Sequence, residues 1–341
     1  MAYTTINKST DYFNTKLYTG NASTLNVTGV GFQPDWTWIK SRSGAGSHNL
    51  FDAVRGVQKR IFTDLTDAEQ TSATYLTAFG SDGFTLGNNG DVNGNSQTTV
   101  AWNWKANGAG SSNTDGDINS TVSVNQTAGF SIVKYTGNGS NNQKIGHGLN
   151  AVPKMIITKP YSTTGQWYTY HASLGATKYL DLVSTAGSSS DIEMWNNTTP
   201  TNSVFTVGVN GNTNGSGKTT IAYCFAPVAG YSVMGSYFGN NNNNGPTIYT
   251  GMKPKFIFIK KDGGTNWMVY DSKRLGYNAN NYNLVPNTNS TEDAGNPIDI
   301  LSNGFKIRNS DSSMNGDGSE YIYMAIGQSL VGTNGVTAKA R

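Results

Sequence analysis

The chain has 341 residues, a net charge of +3 and only 13% charged side chains. Gly, Asn, Ser and Thr dominate it, which excludes a mainly helical protein, because helices draw on Ala, Leu, Glu and Lys. Aromatic residues at 11% exclude plain disorder. The charge is too mild for a nucleic-acid binder, and the basic clusters at 54–60, 253–261 and 339–341 are too short to track a phosphate backbone. The single cysteine, Cys224, allows no intrachain disulfide and points to folding in a reducing compartment. No signal-like start and no membrane-length apolar run are present, so no membrane insertion is expected. An all-β protein with short strands and many polar turns is what remains.

In chain order, five blocks recur three times. The first holds Tyr18-Thr-Gly-Asn21, Tyr135-Thr-Gly-Asn138 and Tyr237-Phe-Gly-Asn240. The second opens on Pro34, Pro153 and Pro254 and ends on Lys40, Lys159 and Lys260. The third runs from Phe51 to Gly56, Tyr170 to Gly175 and Tyr270 to Gly276. The fourth centres on Phe84, Phe205 and Phe305. The fifth is Val100–Trp104, Ile221–Phe225 and Ile322–Ile326. The three prolines lie 119 and 101 residues apart, and the other blocks keep these offsets within a few residues. Compositional bias produces isolated matches but not a fixed order at a fixed offset. The spacing predicts an N-terminal arm over 1–10, repeats over 11–106, 129–228 and 229–330, and a C-terminal tail over 331–341. Residues 107–128, rich in Gly, Ser and Asn, read as a linker. About 100 residues per repeat is enough to close a core.

The fifth block alternates large and small residues, as a half-buried strand does. The second block is apolar on both faces in its third copy (Phe256 to Ile259), so it reads as a central strand with its proline at the start. Thr66 followed by Glu69 predicts one short helix over 66–73. The fold expected is three tandem antiparallel β-sandwiches of jelly-roll or lectin-like type.

Catalytic signatures are sparse. Gly211–Thr219 imitates a phosphate-binding loop, but its first glycine is a residue early and a strand follows, so it reads as a hairpin turn. Asp115, Asp117 and Asn119 begin like a calcium loop, yet Ser120 replaces the glycine and no glutamate closes it. His48, His147 and His171 lack metal-ligand spacing, and Cys224 aligns with Asn103 and Ala325 as a small core residue. His171 aligns with Asp52 and Asp271, which Arg55 and Arg274 follow; a structural hydrogen bond or ion pair is expected there. Asp191 and Glu193 beside Trp195 could mimic a glycosidase pair, although such carboxylates normally face each other across a cleft. No catalytic residue, metal or cofactor is assigned, and no enzyme activity is expected. Tyr161, Trp195, Tyr277 and Tyr282, set among polar residues, are the candidate sugar-stacking aromatics.

The runs Tyr18–Asn21, Gly31–Trp36, Val54–Gly56, Ser81–Phe84, Val100–Lys105, Asn113–Asp117, Thr127–Ser131 and Ile221–Tyr231 together resemble a family of tailed-bacteriophage virion proteins. These are frequent in cyanophages and other marine phages and are usually called tail-fibre or structural proteins. The resemblance implies a non-enzymatic component of a virion assembled in the host cytoplasm. It also implies virion proteins as partners, host-surface polysaccharide as a target and a homo-oligomer such as a trimer. A capsid or tail decoration protein and a glycan depolymerase are the alternatives.

Overall fold

A computed structural model of the protein describes residues 4–274, 278 and 282–331. The described chain is all-β, and every pairing between its named strands is antiparallel. Three large sheets follow one another along the sequence. The first has six strands, ordered Phe13–Thr19, Thr98–Trp104, Trp36–Ser41, Asn49–Asp52, Lys59–Phe62 and Gln70–Thr71. The middle sheet has eight, ordered Ser111–Asn113, Ser120–Asn125, Phe130–Thr136, Thr219–Phe225, Met155–Pro160, Tyr168–His171, Lys178–Asp181 and Ser189–Ser190. The third has four, ordered Ser232–Phe238, Glu320–Ser329, Met252–Lys261 and Met268–Asp271. The second and fifth blocks are neighbouring strands in all three.

Each large sheet carries a small one on one face. Leu25–Thr28, Gly83–Leu86 and Leu76–Gly80 cover the first; Gln143–Gly146 and Val204–Val207 cover the middle; Thr247–Tyr249, Gly304–Ile307 and Ile298–Leu301 cover the third. The opposite faces of all three large sheets converge on one shared core. Trp36, Trp38, Trp102 and Trp104 meet Phe130, Trp167, Tyr223 and Phe225, together with Phe256, Phe258 and Trp267. Trp36 stacks on Tyr223 with ring centroids 4.4 Å apart, and Phe256 meets the edge of Trp104 at 5.3 Å. Such pairs add about 0.5–1.5 kcal/mol each beyond the area they bury.

This shared core explains the second and fifth blocks. Alternate residues of Trp36–Ser41 serve two cores: Trp36 and Trp38 point to the shared one, Ile39 to that under the small sheet. The fifth-block strands, expected to be half-buried, are buried on both faces, because their small residues Ala101 and Cys224 lie under the small sheets. Pro34 and Pro153 precede their strands, whereas Pro254 lies inside one, at a register shift before Phe256.

The first block is a structural node. Tyr18, Tyr135 and Tyr237 donate their hydroxyls to the carbonyls of Val92, Thr213 and Met314. Asn93, Asn214 and Asn315, all fully buried, accept from the backbone N–H of Asn21, Asn138 and Asn240. A Cβ on Gly20, Gly137 or Gly239 would stand 2.2, 2.5 or 2.2 Å from the facing carbonyl oxygen, which only glycine allows.

Three expectations are corrected. The helix over 66–73 is absent: Glu69 pairs with Arg55 at 3.1 Å instead of capping, and the Thr66 carbonyl accepts from Lys159 Nζ. Tertiary partners outbid a short local signal. The helices present among the described residues are single α-turns at Gly90–Asn93, Ile192–Trp195 and Ser312–Asn315 and a 3₁₀ turn at Ser9–Asp11. The segment 107–128 is not a free linker; it supplies Ser111–Asn113 and Ser120–Asn125, which extend the middle sheet. Part of the N-terminal arm is packed: Ile6 is buried in the shared core, and Ser9 donates to Gln328 Oε1.

Candidate functional site

Buried polar side chains bridge the three seams where one large sheet meets the next. At the first–middle seam, Tyr223 Oη donates to Asp52 Oδ2 at 2.9 Å and Trp167 Nε1 to the Phe62 carbonyl at 2.7 Å. At the middle–third seam, His171 Nε2 donates to the Tyr323 carbonyl at 3.2 Å and Trp267 Nε1 to that of Asp181 at 3.0 Å. At the third–first seam, Trp102 Nε1 donates to Asp271 Oδ2 at 3.0 Å and Thr63 Oγ1 to the Pro286 carbonyl at 2.7 Å. The aligned positions 52, 171 and 271 thus make the same connection around a closed ring, with different chemistry. Arg55 Nε reaches Asp52 at 2.5 Å and Arg274 Nε reaches Asp271 at 2.6 Å; Leu174 stands in the middle copy, where His171 needs no cation.

The Lys that closes the second block seals the same seams. Lys159 Nζ donates to the carbonyls of Thr66, Pro160 and Gly165 at 3.0, 3.2 and 2.8 Å. Lys260 Nζ meets those of Ser184, Thr185 and Thr265, and Lys40 Nζ those of Ser41, Gly44 and Asn289. Burial lowers all three lysines to about 8, opposed by the carboxylates of Asp64 and Glu292 near Lys40, Asp67 near Lys159 and Asp181 near Lys260. Burial likewise pushes His171 down to about 4 and His147 below its ordinary value. In both rings Nδ1 accepts a backbone N–H, so Nε2 carries the hydrogen. Cys224 is fully buried, and burial raises its thiol far above the reactive range. Lys40, Lys159, Lys260 and His171 tie one large sheet to the next, whereas His147 and Cys224 are buried within the middle unit.

Among the described residues, no group of three His, Cys, Asp or Glu is placed to hold a metal ion. In the phosphate-loop mimic, Lys218 Nζ donates to the Gly211 carbonyl, and Asn214 is the buried node of the middle unit. In the calcium-loop mimic, Asp117 accepts from Lys144 N and Asp115 from Asn113 Nδ2. Asp191 caps the turn Ile192–Trp195, accepting the Glu193 N–H at 2.8 Å, so both carboxylates sit on one element rather than across a cleft. An open depression of about 880 Å³ lies among Thr4, Gln126, Ala151, Pro227 and Val228; its lining holds no titratable side chain.

The match to a family model spans residues 8–329, which takes in all three large sheets and their seams. The chain belongs to the family described as domain of unknown function (DUF7483). No curated protein and no solved structure matches it.

The three candidate aromatics among the described residues are not brought together. Trp195 is only 2% exposed and packs on Tyr170 under the small sheet, so it offers no stacking face; this corrects the expectation. Tyr161 is half-buried at the first–middle seam, with the Arg55 guanidinium 5.9 Å from its ring centre, and burial raises its hydroxyl to about 12. Tyr282 is half-buried and lies near Arg42, which pairs with Glu292 at the third–first seam. Tyr277 lies outside the described residues. Among the described residues, the exposed aromatics are instead Phe238, at 62%, and Tyr249, at 66%. A sequence signal for both existed: the aligned positions hold Thr19 and Thr136 for Phe238, and Thr28 and Gly146 for Tyr249. An aromatic in one copy where the others are small marks a surface choice rather than a core one.

Proposed function

We propose that the protein is a non-enzymatic structural protein of a phage virion, in the tail-fibre or appendage class. We read its three sheet pairs as tandem β-sandwich repeats of jelly-roll or lectin-like type that present loops to host-surface glycan. The observation that carries this reading is the closed ring of seams. The buried His171, Cys224 and lysines serve packing, and the Asn-rich loops after Tyr18, Tyr135 and Tyr237 recur around the ring. Three similar loop sets suit weak, repeated binding to a repetitive polymer. Tyr161, Tyr277 and Tyr282 remain the sequence-derived contact candidates, joined by Phe238 and Tyr249.

The scatter of these aromatics favours a second reading, a decoration or cement protein on the capsid or tail that binds no sugar. Antibody labelling of purified particles under the electron microscope, followed by a glycan array, tests both. Label on the tail or its fibres with glycan binding supports attachment. Label over the head without glycan binding supports decoration. Absence from particles, or release of reducing sugar from host polysaccharide, overturns the proposal.

A further inference from the structure

The edge of the third large sheet is open where the same edge of the middle sheet is closed. In the middle sheet, Phe130–Thr136 pairs on its outer side with Ser120–Asn125, in the register Lys134 to Thr121 and Ile132 to Ser123. That cover comes from the extra residues which make the first repeat spacing longer than the second. Among the described residues, the aligned strand Ser232–Phe238 is an edge strand with Glu320–Ser329 as its sole neighbour in the sheet.

Bonds at both ends fix which groups face outward. Gly239 N donates to the Ser319 carbonyl and Gly327 N to that of Tyr231, so odd-numbered residues bond inward. Ser232 spends its outward groups on Val228 in a tight turn. The N–H and C=O of Met234, Ser236 and Phe238 therefore point away from the sheet, and among the described residues no backbone partner meets them.

The first sheet has the same open edge, Phe13–Thr19, but Lys16 lies on it, and a charge is a standard guard against edge pairing. Ser232–Phe238 (Ser-Val-Met-Gly-Ser-Tyr-Phe) has no charge and no proline, and it ends in the 62%-exposed Phe238. It is also self-complementary. A two-fold axis at Gly235 sets the outward pair Met234 and Ser236 against Ser236 and Met234 of a second copy. The side-chain-free glycine falls at the axis, where the backbones come closest.

We propose that Ser232–Phe238 pairs antiparallel with the same strand of a second copy of this chain, joining two third sheets into one eight-stranded sheet. The middle sheet already has eight strands, two of them lying beyond the equivalent edge.

The test is analytical ultracentrifugation of the full chain over a concentration series, with Ser236→Pro as the variant. Proline removes an outward donor and spares the inward ladder. The wild type is expected to shift from monomer to dimer as concentration rises. Ser236→Pro, with unchanged circular dichroism, is expected to weaken the dimer roughly thirtyfold, from two lost backbone bonds per dimer. Hydrogen exchange by mass spectrometry covers the case in which the variant misfolds. In the wild type, peptides over 232–238 gain protection with concentration, and those over 13–19 do not. A wild type that stays monomeric throughout, a dimer that folded Ser236→Pro leaves intact, or equal protection of both segments overturns the proposal.

Discussion

Replacing Asp52 by alanine tests whether the seams hold the molecule together. The Asp52 carboxylate is fully buried and accepts from Arg55 Nε at 2.5 Å, Arg55 N at 2.8 Å and Tyr223 Oη at 2.9 Å. Its removal strands the Tyr223 hydroxyl and leaves Arg55, whose side chain is also fully buried, with Glu69 at 3.1 Å as its remaining acidic partner. Breaking a buried pair costs about 3–5 kcal/mol, and Glu69 holds the expected loss to the lower half of that range. The middle copy shows the alternative, with His171 and Leu174 at the same two positions. Asp52→His combined with Arg55→Leu removes both charges at once. It is expected to be more stable than Asp52→Ala by about 2 kcal/mol, because no fully buried charge is left and Glu69 keeps Lys59 at 3.8 Å. Urea unfolding followed by tryptophan fluorescence reads both variants, since Trp36 and Trp167 lie against Tyr223. A double variant as unstable as Asp52→Ala refutes the reasoning.

Gly20→Ala, Gly137→Ala and Gly239→Ala should each cost about 1–3 kcal/mol, because the new methyl meets a backbone carbonyl. Gly46→Ala, with nothing within 4 Å, should stay within about 0.5 kcal/mol by the same denaturation measurement. The pH dependence follows from His171, whose folded value of about 4 lies below the ordinary 6.5. Between these values the unfolded chain binds a proton that the folded chain does not, so stability falls as pH falls through that window. Asp181, raised by burial to about 6, acts in the opposite sense, so the measurement is a difference. The stability advantage of wild type over His171→Gln should shrink by about 3 kcal/mol from pH 7 to pH 4, and a constant difference rejects the assignment. Cys224 should resist a thiol reagent in the folded protein and react at the rate of unfolding; rapid labelling of folded protein would contradict its burial.

The three-fold repetition was legible because the residues that carry it cannot be exchanged freely. The glycines of the first block admit no Cβ, and the buried asparagines bind the backbone of the next turn. The apolar faces of the second and fifth blocks were legible as strands. Their destination was not: alternation tells which residues share a face but not what covers it. The helix over 66–73 failed for the same reason, since Lys159 and Tyr161, over ninety positions away, claim its backbone. Trp195 reads as a loop aromatic among polar neighbours, and only packing on Tyr170 shows it to be core.

Sequence by itself therefore determined the all-β class, the three-fold recurrence and the structural nature of Cys224 and of position 171, because each rests on local chemistry or on a repeated spacing. Tertiary structure decided that the three large sheets share one core, that residues 107–128 close one sheet edge, and that Ser232–Phe238 leaves another open. Those outcomes depend on which surfaces meet across one hundred residues or more, and no local pattern encodes that.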